Sequence, residues 1–184
     1  MAVTEDEKRL IERSRQGDAD AFASLLQKYQ QMIHALTFRM TGSMADADDL
    51  TQETFVQAFR QLANFRGDSA FSSWLYRIAV NKSLNHRKRD INRERLHAEW
   101  AAEQSIASAT APNARLSAGV QEALLKLDPK QRAAVVLTTY DGLNHAEAAR
   151  ALGCSETTVS WRIFAARRKL KSWLKVLKAE ADHE

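Results

Sequence analysis

The sequence predicts an all-α fold of two small helical domains joined by a linker, the second of them a helix-turn-helix domain. Apolar residues recur at spacings of three and four along most of the chain, which is typical of amphipathic helices. Only 6 of the 184 residues are glycine and 2 are proline, and no segment alternates as a half-buried strand does. An Ala- and Ser-rich stretch at residues 97–117 lacks a sustained apolar face and divides the helical pattern in two.

Four helices are predicted in the first domain, which is placed at residues 1–95. Glycines end the first and second helices, and Asp18 or Asp20 caps the second. The third helix spans residues 45–63, and the loop NFRGDS separates it from a fourth that covers about residues 70–89. Their apolar stripes are Leu10 and Ile11; Phe22, Leu25, Leu26, Tyr29, Ile33, Leu36 and Met40; Leu50, Phe55, Phe59 and Leu62; and Phe71, Trp74, Leu75, Ile78 and Leu84.

The second domain is predicted at residues 113–178, after a linker at 96–112. Asp128 followed by Pro129 is a helix cap with proline at the first helical position. Asp141-Gly142 ends the helix that follows. Because the tail at 179–184 is short, no appended sensor domain is expected. The apolar stripes on either side of the cap are Val120, Leu124 and Leu127, and Ala133, Val136, Leu137 and Tyr140.

The segment LNHAEAARALGCSETTVSWRIFAARRKL carries a helix-turn-helix pattern. Asn144 is a helix cap, and Glu147 three residues later completes a capping box. Gly153 suits the left-handed residue that ends the first helix of the pair. Small Ala149 and branched Val159 stand where the two helices cross, as the motif requires.

The phase of the second helix, which Ser155 caps, determines its exposed face. The stripe from Val159 through Ile163 and Ala166 to Leu170 recurs at 3.6 residues and is predicted to be buried. The outward positions suit contact with thymine methyl groups and phosphates in a major groove, although Trp161 has the alternative of packing on a neighbouring domain or partner. Cys154 is predicted to be a small buried residue. The outward positions are Thr157, Trp161, Phe164 and Arg168, with Ser160 on the flank.

Charge is distributed unevenly along the chain, whose formal net charge is +4. Residues 1–56 carry ten acidic against six basic side chains. Residues 82–95 carry six basic against two acidic, and residues 144–175 carry seven against two. Two basic blocks favour a polyanion, such as nucleic acid, as the partner.

Composition argues against several other classes of protein. A single cysteine excludes an internal disulfide, and five histidines without ligand spacing predict neither a metal site nor a cofactor. No catalytic residues are predicted, because Asp46, Asp48 and Asp49 do not converge on one ion. The charged N-terminal segment is no signal peptide, and no apolar run is long enough to span a membrane. We therefore expect a cytoplasmic protein that makes no membrane contact of its own.

Four longer motifs occur in a characteristic order. The first domain contains GDADAFASLLQKY, DADDLTQETFVQAFRQL and FRGDSAFSSWLYRIAVN, and the second contains LDPKQRAAVVLTTYDGLNHAEAARALGCSETTVSWRIFAARRKL. Together they resemble the extracytoplasmic-function (group 4) sigma factors of the sigma-70 family, over nearly the whole chain. The resemblance implies a non-enzymatic protein that binds core RNA polymerase and directs initiation at specific promoters.

The resemblance implies that the first domain holds the melted non-template strand of the −10 element. A flipped base needs a turn, an aromatic wall, polar groups for its edge and cations for the backbone. Phe71 and Trp74 are more typical of a core at this spacing, and Asn81 is the leading candidate for reading a base. The implied residues are Arg66, Asp68, Ser69, Phe71, Trp74, Tyr76, Arg77, Asn81, Lys82, Asn85, Arg87, Lys88 and Arg89.

The resemblance also implies contacts with the β′ clamp helices and the β flap of core polymerase, and reading of duplex DNA at the −35 element. A mixed acidic and apolar surface suits the basic hairpin of the clamp. A separate anti-sigma factor is expected to regulate the protein. The implied polymerase-binding residues are Asp49, Leu50, Gln52, Glu53 and Val56. The implied −35 residues are Ser155, Thr157, Thr158, Ser160, Trp161, Arg162, Phe164, Arg167 and Arg168.

The recognition helix departs from the usual family pattern, which has basic residues at the positions of Ser160 and Ala165 and a small polar one at Trp161. This predicts a different −35 sequence, or more readout through shape and apolar contact. Because both DNA-binding surfaces are basic, a compact free form that covers them together is also expected.

Three other functions compete with this interpretation. A plain helix-turn-helix regulator leaves the first domain without a role and usually needs a dimer. A nuclease needs converging carboxylates or a nucleophile with a base. A pure protein adaptor, such as an anti-sigma mimic, remains a third alternative.

Overall fold

Helices of the first domain begin at side-chain caps. The computed structural model describes residues 4–96 and 112–181, and side chains at 4–86 and 119–173. Thr4, Asp18 and Ser43 each accept a hydrogen bond from the backbone amide three residues later, which satisfies a donor that has no partner inside the helix. The helices are α1 (Glu5–Arg15), α2 (Ala19–Thr41), α3 (Met44–Gln61) and α4 (Phe71–Leu96), with a 3₁₀ turn at Leu62–Asn64.

The predicted cap and C-terminal end of the second helix are confirmed. Asp18 is the cap of α2, and Gly42 ends that helix with φ of +79°. The fourth helix begins as predicted but continues beyond residue 89 to Leu96. The predicted linker lies mostly outside the described residues, which resume at Pro112.

The first-domain core lies between α2, α3 and α4, and α1 packs on α2. Leu25, Ile33, Leu36 and Leu75 are fully buried in it, and each such side chain contributes about 1.5–3 kcal/mol relative to exposure. Glu7 of α1 is also buried, and its carboxylate accepts a hydrogen bond from the Tyr29 hydroxyl. Burial and this carboxylate together raise the pKa of Tyr29.

The second domain packs its remaining helices against a long last one. The elements of this domain are α5 (Pro112–Leu125), α6 (Pro129–Val135), a π-helical turn (Val136–Tyr140), α7 (His145–Leu152) and α8 (Glu156–Ala181). Asp128 caps α6 through the amides of Lys130 and Gln131, with Pro129 at the first position, as predicted. Helix α8 contacts α5, α6 and α7.

The π-helical turn corrects the prediction of one regular helix through Tyr140. The amide of Asp141 donates to the carbonyl of Val136, five residues back, at 3.1 Å. The wider turn changes the phase of the apolar stripe, so Val136 and Leu137 are buried while Tyr140 is exposed. Such turns are rare and often occur at functional sites.

The two domains contact each other directly. Helix α4 packs against α7, and α2 packs against α5, α6 and the π-helical turn. Buried side chains of both domains belong to one continuous hydrophobic cluster. The residues at 4–96 and 112–181 contain no β-strand, which confirms the all-α prediction.

Candidate nucleic-acid and polymerase interfaces

An exposed polar turn precedes α4. Gly67 has φ of +79°, a left-handed conformation that glycine adopts without strain. Its neighbours Arg66 and Asp68 form an ion pair at 3.0 Å and are both largely exposed. Half-buried Ser69 lies at the edge of this turn. Both charges of the turn are therefore presented to solvent beside the start of α4.

Aromatic rings pack beneath this turn. The ring centroids of Phe65 and Phe71 are 5.3 Å apart, and Trp74 lies 5.3 Å from Phe65 and 5.4 Å from Phe71. Phe71 is 1% exposed, Tyr76 is 3% exposed and Trp74 is half-buried. Phe71 and Tyr76 are thus core residues rather than contact residues in this state, because their faces are covered by other side chains.

One face of α4 carries a row of exposed polar side chains. Arg77, Asn81 and Asn85 are four residues apart and so lie along the same side of the helix. Lys82 is half-buried, and its ammonium lies 2.8 Å from the carboxylate of Glu53. The turn at 66–69 and this row form the loop–α4 surface. The side chains of Arg87, Lys88 and Arg89 lie outside those described.

Helix α3 presents acidic and apolar side chains to solvent. Asp49, Gln52, Glu53 and Val56 are exposed. Leu50 is only 2% exposed, so it supports this surface from inside and does not form part of it. We call the four exposed residues the α3 surface.

A groove between α2 and α3, with a volume of about 790 Å³, adjoins the α3 surface. Phe22 and Phe59 line it with their centroids 4.9 Å apart, and Val56 contributes to its rim. Phe22 and Phe59 belong to the apolar stripes predicted from the sequence, but Phe59 is exposed. A helical stripe alone does not distinguish a core from a partly open groove.

The helix-turn-helix geometry follows the prediction closely. Asn144 Oδ1 accepts from the Glu147 amide at 2.9 Å, and the Glu147 carboxylate accepts from the Asn144 amide at 3.0 Å. The second of these bonds lowers the pKa of Glu147. Gly153 adopts φ of +61°, and Ser155 caps α8 by accepting from the Thr158 amide at 3.2 Å.

The outward side of α8 forms the second candidate surface. Trp161 is 64% exposed and Phe164 is 67% exposed, while Val159, Ile163 and Ala166 are buried, as the helical phase predicts. Two exposed aromatic rings close together on a basic helix form an apolar patch, and such patches often mark a site for a partner molecule. We call this set the recognition face: Thr157, Ser160, Trp161, Phe164, Arg167 and Arg168, all exposed.

Two other residues predicted to contact DNA, Arg162 and Thr158, lie close to the turn between α7 and α8. Arg162 is half-buried, and its guanidinium lies 3.5 Å from the sulfur of Cys154. Cys154 is half-buried rather than buried, which corrects the sequence expectation. Thr158 is half-buried beside the Ser155 hydroxyl at 2.9 Å, and Ser160 lies 3.0 Å from His145 Nδ1.

Among the side chains that the structure describes, the expected covering of the two basic surfaces is not seen. Arg66, Arg77, Asn81, Trp161 and Arg168 all remain exposed although the domains are in contact. The described part of the chain contains no group of side chains that could hold a metal ion. None of the described helices is long and apolar enough to cross a membrane.

Comparison with known protein families assigns both domains. Residues 25–93 match the model of sigma-70 region 2, and residues 117–170 match that of sigma-70 region 4. The RNA polymerase sigma-H factor of Pseudomonas aeruginosa is 35% identical, over 98% of this chain and 100% of the relative. The chain belongs to the extracytoplasmic-function family of sigma-70 RNA polymerase sigma factors. As a sigma factor it is a non-enzymatic subunit that directs promoter-specific initiation by RNA polymerase.

Other relatives extend this assignment. The sigma factor SigW of Bacillus subtilis is 32% identical over 92% of this chain and 97% of its own. The solved structure of CnrH in complex with the cytosolic domain of CnrY matches at TM-score 0.69 and 32% identity, covering 94% of this sigma factor and 99% of that chain. The sigma factor RpoE of Bartonella quintana, solved with the anti-sigma factor NepR, matches at TM-score 0.70 and 27% identity, covering 84% and 97%.

Proposed function

We propose that this sigma factor divides promoter recognition between its two domains. The domain at residues 1–95 docks on the β′ clamp helices and captures the melted −10 strand. The domain at 113–178 contacts the β flap and reads the −35 duplex, and the linker at 96–112 joins them. The observation that carries this proposal is that each domain exposes side chains suited to nucleic acid: Arg77, Asn81 and Asn85 on α4, and the recognition face with Trp161 and Phe164 on α8.

The loop–α4 surface has the features that a flipped base requires. Exposed Asn81 and Asn85 offer amide groups that hydrogen-bond to base edges, and exposed Arg77 and Arg66 offer cations for the phosphate backbone. The ring cluster of Phe65, Phe71 and Trp74 lies under the turn and holds it in place. Among the aromatic residues, half-buried Trp74 is the one with surface left to stack on a base.

The recognition face suits a major groove that is rich in thymine. Trp161 and Phe164 provide apolar surface for methyl groups, and Arg167 and Arg168 provide phosphate contacts. The two arginines position the helix on the phosphate backbone, whereas the two aromatic rings discriminate between base sequences. The −35 sequence is then expected to differ from that of relatives with basic readers.

The α3 surface is the proposed site for the clamp helices. Asp49 and Glu53 attract a basic hairpin, and exposed Val56 beside the apolar groove supplies hydrophobic contact. We also propose that an anti-sigma factor regulates this protein, since one structural relative, RpoE of Bartonella quintana, was solved with such a partner. The site of action is the cytoplasm, where core polymerase meets DNA.

Reconstituted transcription tests the proposal. Bacterial core polymerase is combined with this protein on a pool of candidate promoters, and run-off transcripts are quantified. We expect specific initiation that Asn81→Ala reduces about fivefold, the effect of one lost hydrogen bond to a base. Asn64→Ala, an exposed asparagine of the 3₁₀ turn in the same domain, is the matched control and should initiate normally.

A promoter with an abasic site at the flipped position separates a base contact from a general defect. The loss caused by Asn81→Ala should disappear on that template, because both changes remove the same interaction. Failure to bind core polymerase, with duplex binding retained, would instead support a helix-turn-helix regulator that acts without polymerase.

A further inference from the structure

Polar and apolar contacts join the two domains closely. Arg132 of α6 is completely buried and donates to the carbonyl of Met40 in α2. The Gln121 amide donates to the carbonyl of Phe38 at 3.1 Å. Leu125 packs so near Gly42 that a Cβ atom on this glycine would clash with the Leu125 Cδ1 atom. We call this arrangement the closed state.

A poorly compensated carboxylate lies inside this interface. The π-helical turn directs Asp141 toward α2 and α4, where its side chain is 7% exposed. Its Oδ1 lies 3.9 Å from Arg39 Nη1, and its buried Oδ2 has no hydrogen-bond partner among the described residues. Arg39 also lies over the Tyr140 ring at 4.5 Å, so its charge is shared between two contacts.

Two groups of other helices face this carboxylate: the Arg39 guanidinium from α2 and the Tyr76 hydroxyl from α4, which acts on it as a hydrogen-bond donor. Burial raises the pKa of Asp141 from 3.8 to about 6, although Arg39 and Tyr76 act in the opposite direction. A carboxyl group whose pKa is raised favours the closed state when it is protonated. That contribution is complete below pH 3.8 and is lost as the pH rises through about 6.

The proposed function requires the domains to separate. Positions −35 and −10 lie about 25 base pairs apart, or roughly 85 Å at 3.4 Å per base pair. A compact chain of this length measures only roughly 40 Å across, from the usual scaling of the radius of gyration. The closed state therefore cannot engage both promoter elements at once, even though its recognition residues are exposed.

We propose that buried, ionised Asp141 keeps the interface of the closed state weak enough for polymerase and promoter to open it. The consequence of this inference for promoter binding rests on the proposed function, whereas the closed state itself does not. The closed state would inhibit promoter binding because it holds the two DNA-binding surfaces too close together, and not because it covers them. An ion buried without adequate partners destabilises the structure that buries it.

Distance measurements on the free, full-length protein test the closed state without polymerase or promoter. Spin labels at Ala63→Cys and Lys171→Cys, both exposed positions in different domains, are introduced with Cys154→Ala. Double electron–electron resonance then gives the ratio of short to long distances. Leu125→Ala, which removes one interface contact, brings the open population into the measurable range and serves as the background for the other variants.

In that background, Asp141→Asn should raise the closed-to-open ratio about a hundredfold at pH 7.5, because it removes the buried charge. With Asp141 present, the open population should increase about tenfold between pH 5.0 and 7.5, and Asp141→Asn should abolish this response. Glu122→Gln, which neutralises a largely exposed carboxylate of the same domain, is the matched control and should change neither quantity.

Two results would overturn the proposal. A long distance in the protein with native Leu125 would mean that the free form is open, and opening by Asp141→Asn would mean that the ionised carboxylate holds the domains together. The functional link is tested separately, since a lower open fraction should weaken apparent core-polymerase binding in proportion. Tighter closure with unchanged polymerase binding would show that the interface is not inhibitory.

Discussion

Aromatic side chains are used in opposite ways by the two domains. In the first, Phe65, Phe71 and Trp74 pack on one another below a polar turn. In the second, Trp161 and Phe164 lie in solvent on a helix whose opposite side is buried. A melted strand offers base edges and flat faces to a shaped surface, whereas duplex DNA offers methyl groups to a protruding helix. The difference indicates that the rings of the first domain support a DNA-binding surface from below, whereas the rings of the second domain form that surface themselves.

The largest expected effect concerns folding and compares one ring from each set. Phe71→Ala should lower the free energy of unfolding by about 3–5 kcal/mol, because it leaves a cavity in the first-domain core. Phe164→Ala should change it by no more than about 0.5 kcal/mol, since the ring is exposed. Urea unfolding of the full chain, followed by circular dichroism, measures both. Equal losses would mean that Phe164 packs in solution and would remove the contrast.

The next effect concerns duplex reading. Replacing a contacted thymine with uracil deletes one methyl group, which we expect to weaken holoenzyme binding about fourfold, the equivalent of one buried carbon. In Phe164→Ala the same replacement should have no effect. Trp161→Ala distinguishes the two roles left open for that residue: loss of uracil sensitivity indicates DNA contact, and retained sensitivity with weaker polymerase binding indicates a protein partner.

A further effect concerns the backbone of the turns that support these surfaces. Gly153 and Gly67 both have positive φ, and a Cβ atom would meet nothing near either. Gly153→Ala should therefore cost only the backbone strain, about 1–2 kcal/mol, and should also disturb the angle of the recognition helix. Asparagine tolerates this conformation better, so Gly153→Asn should recover part of the loss in thermal unfolding. A loss greater than about 3 kcal/mol would imply a steric role that the open surroundings contradict.

Local features of this protein were predictable from sequence, and tertiary ones were not. The caps at Asp18, Asp128 and Asn144 depend on a few neighbouring residues, and the burial of Val159 and Ile163 follows from helical phase alone. The family resemblance further indicated where to look for the two surfaces.

Helix α4 shows why the rest was not predictable. It packs against α2 and α3 on one side and against α7 on another, so it is apolar around much of its circumference. Periodicity therefore could not decide whether Tyr76 was core or contact. The π-helical turn and the position of Asp141 depend likewise on contact between domains, for which a single sequence carries no local signal.

The smallest effect links the two surfaces of the first domain. Lys82, expected to hold a phosphate, forms an ion pair with Glu53 of the α3 surface at 2.8 Å. Because the Glu53 side chain is 56% exposed, a double-mutant cycle with Lys82→Ala and Glu53→Gln should give a coupling energy of only about 0.2–1 kcal/mol in the free protein. The coupling is measured by urea unfolding at low and high salt, and it should decrease as salt screens the pair.

Polymerase should remove this coupling. A basic hairpin docked on the α3 surface competes for Glu53, which leaves Lys82 better able to bind the strand. In holoenzyme, Glu53→Gln should therefore leave the affinity for a −10 fork unchanged once polymerase is saturating, whereas Lys82→Ala should weaken it. If Glu53→Gln still strengthens fork binding in holoenzyme, the ion pair persists there, and the polymerase and strand surfaces act independently.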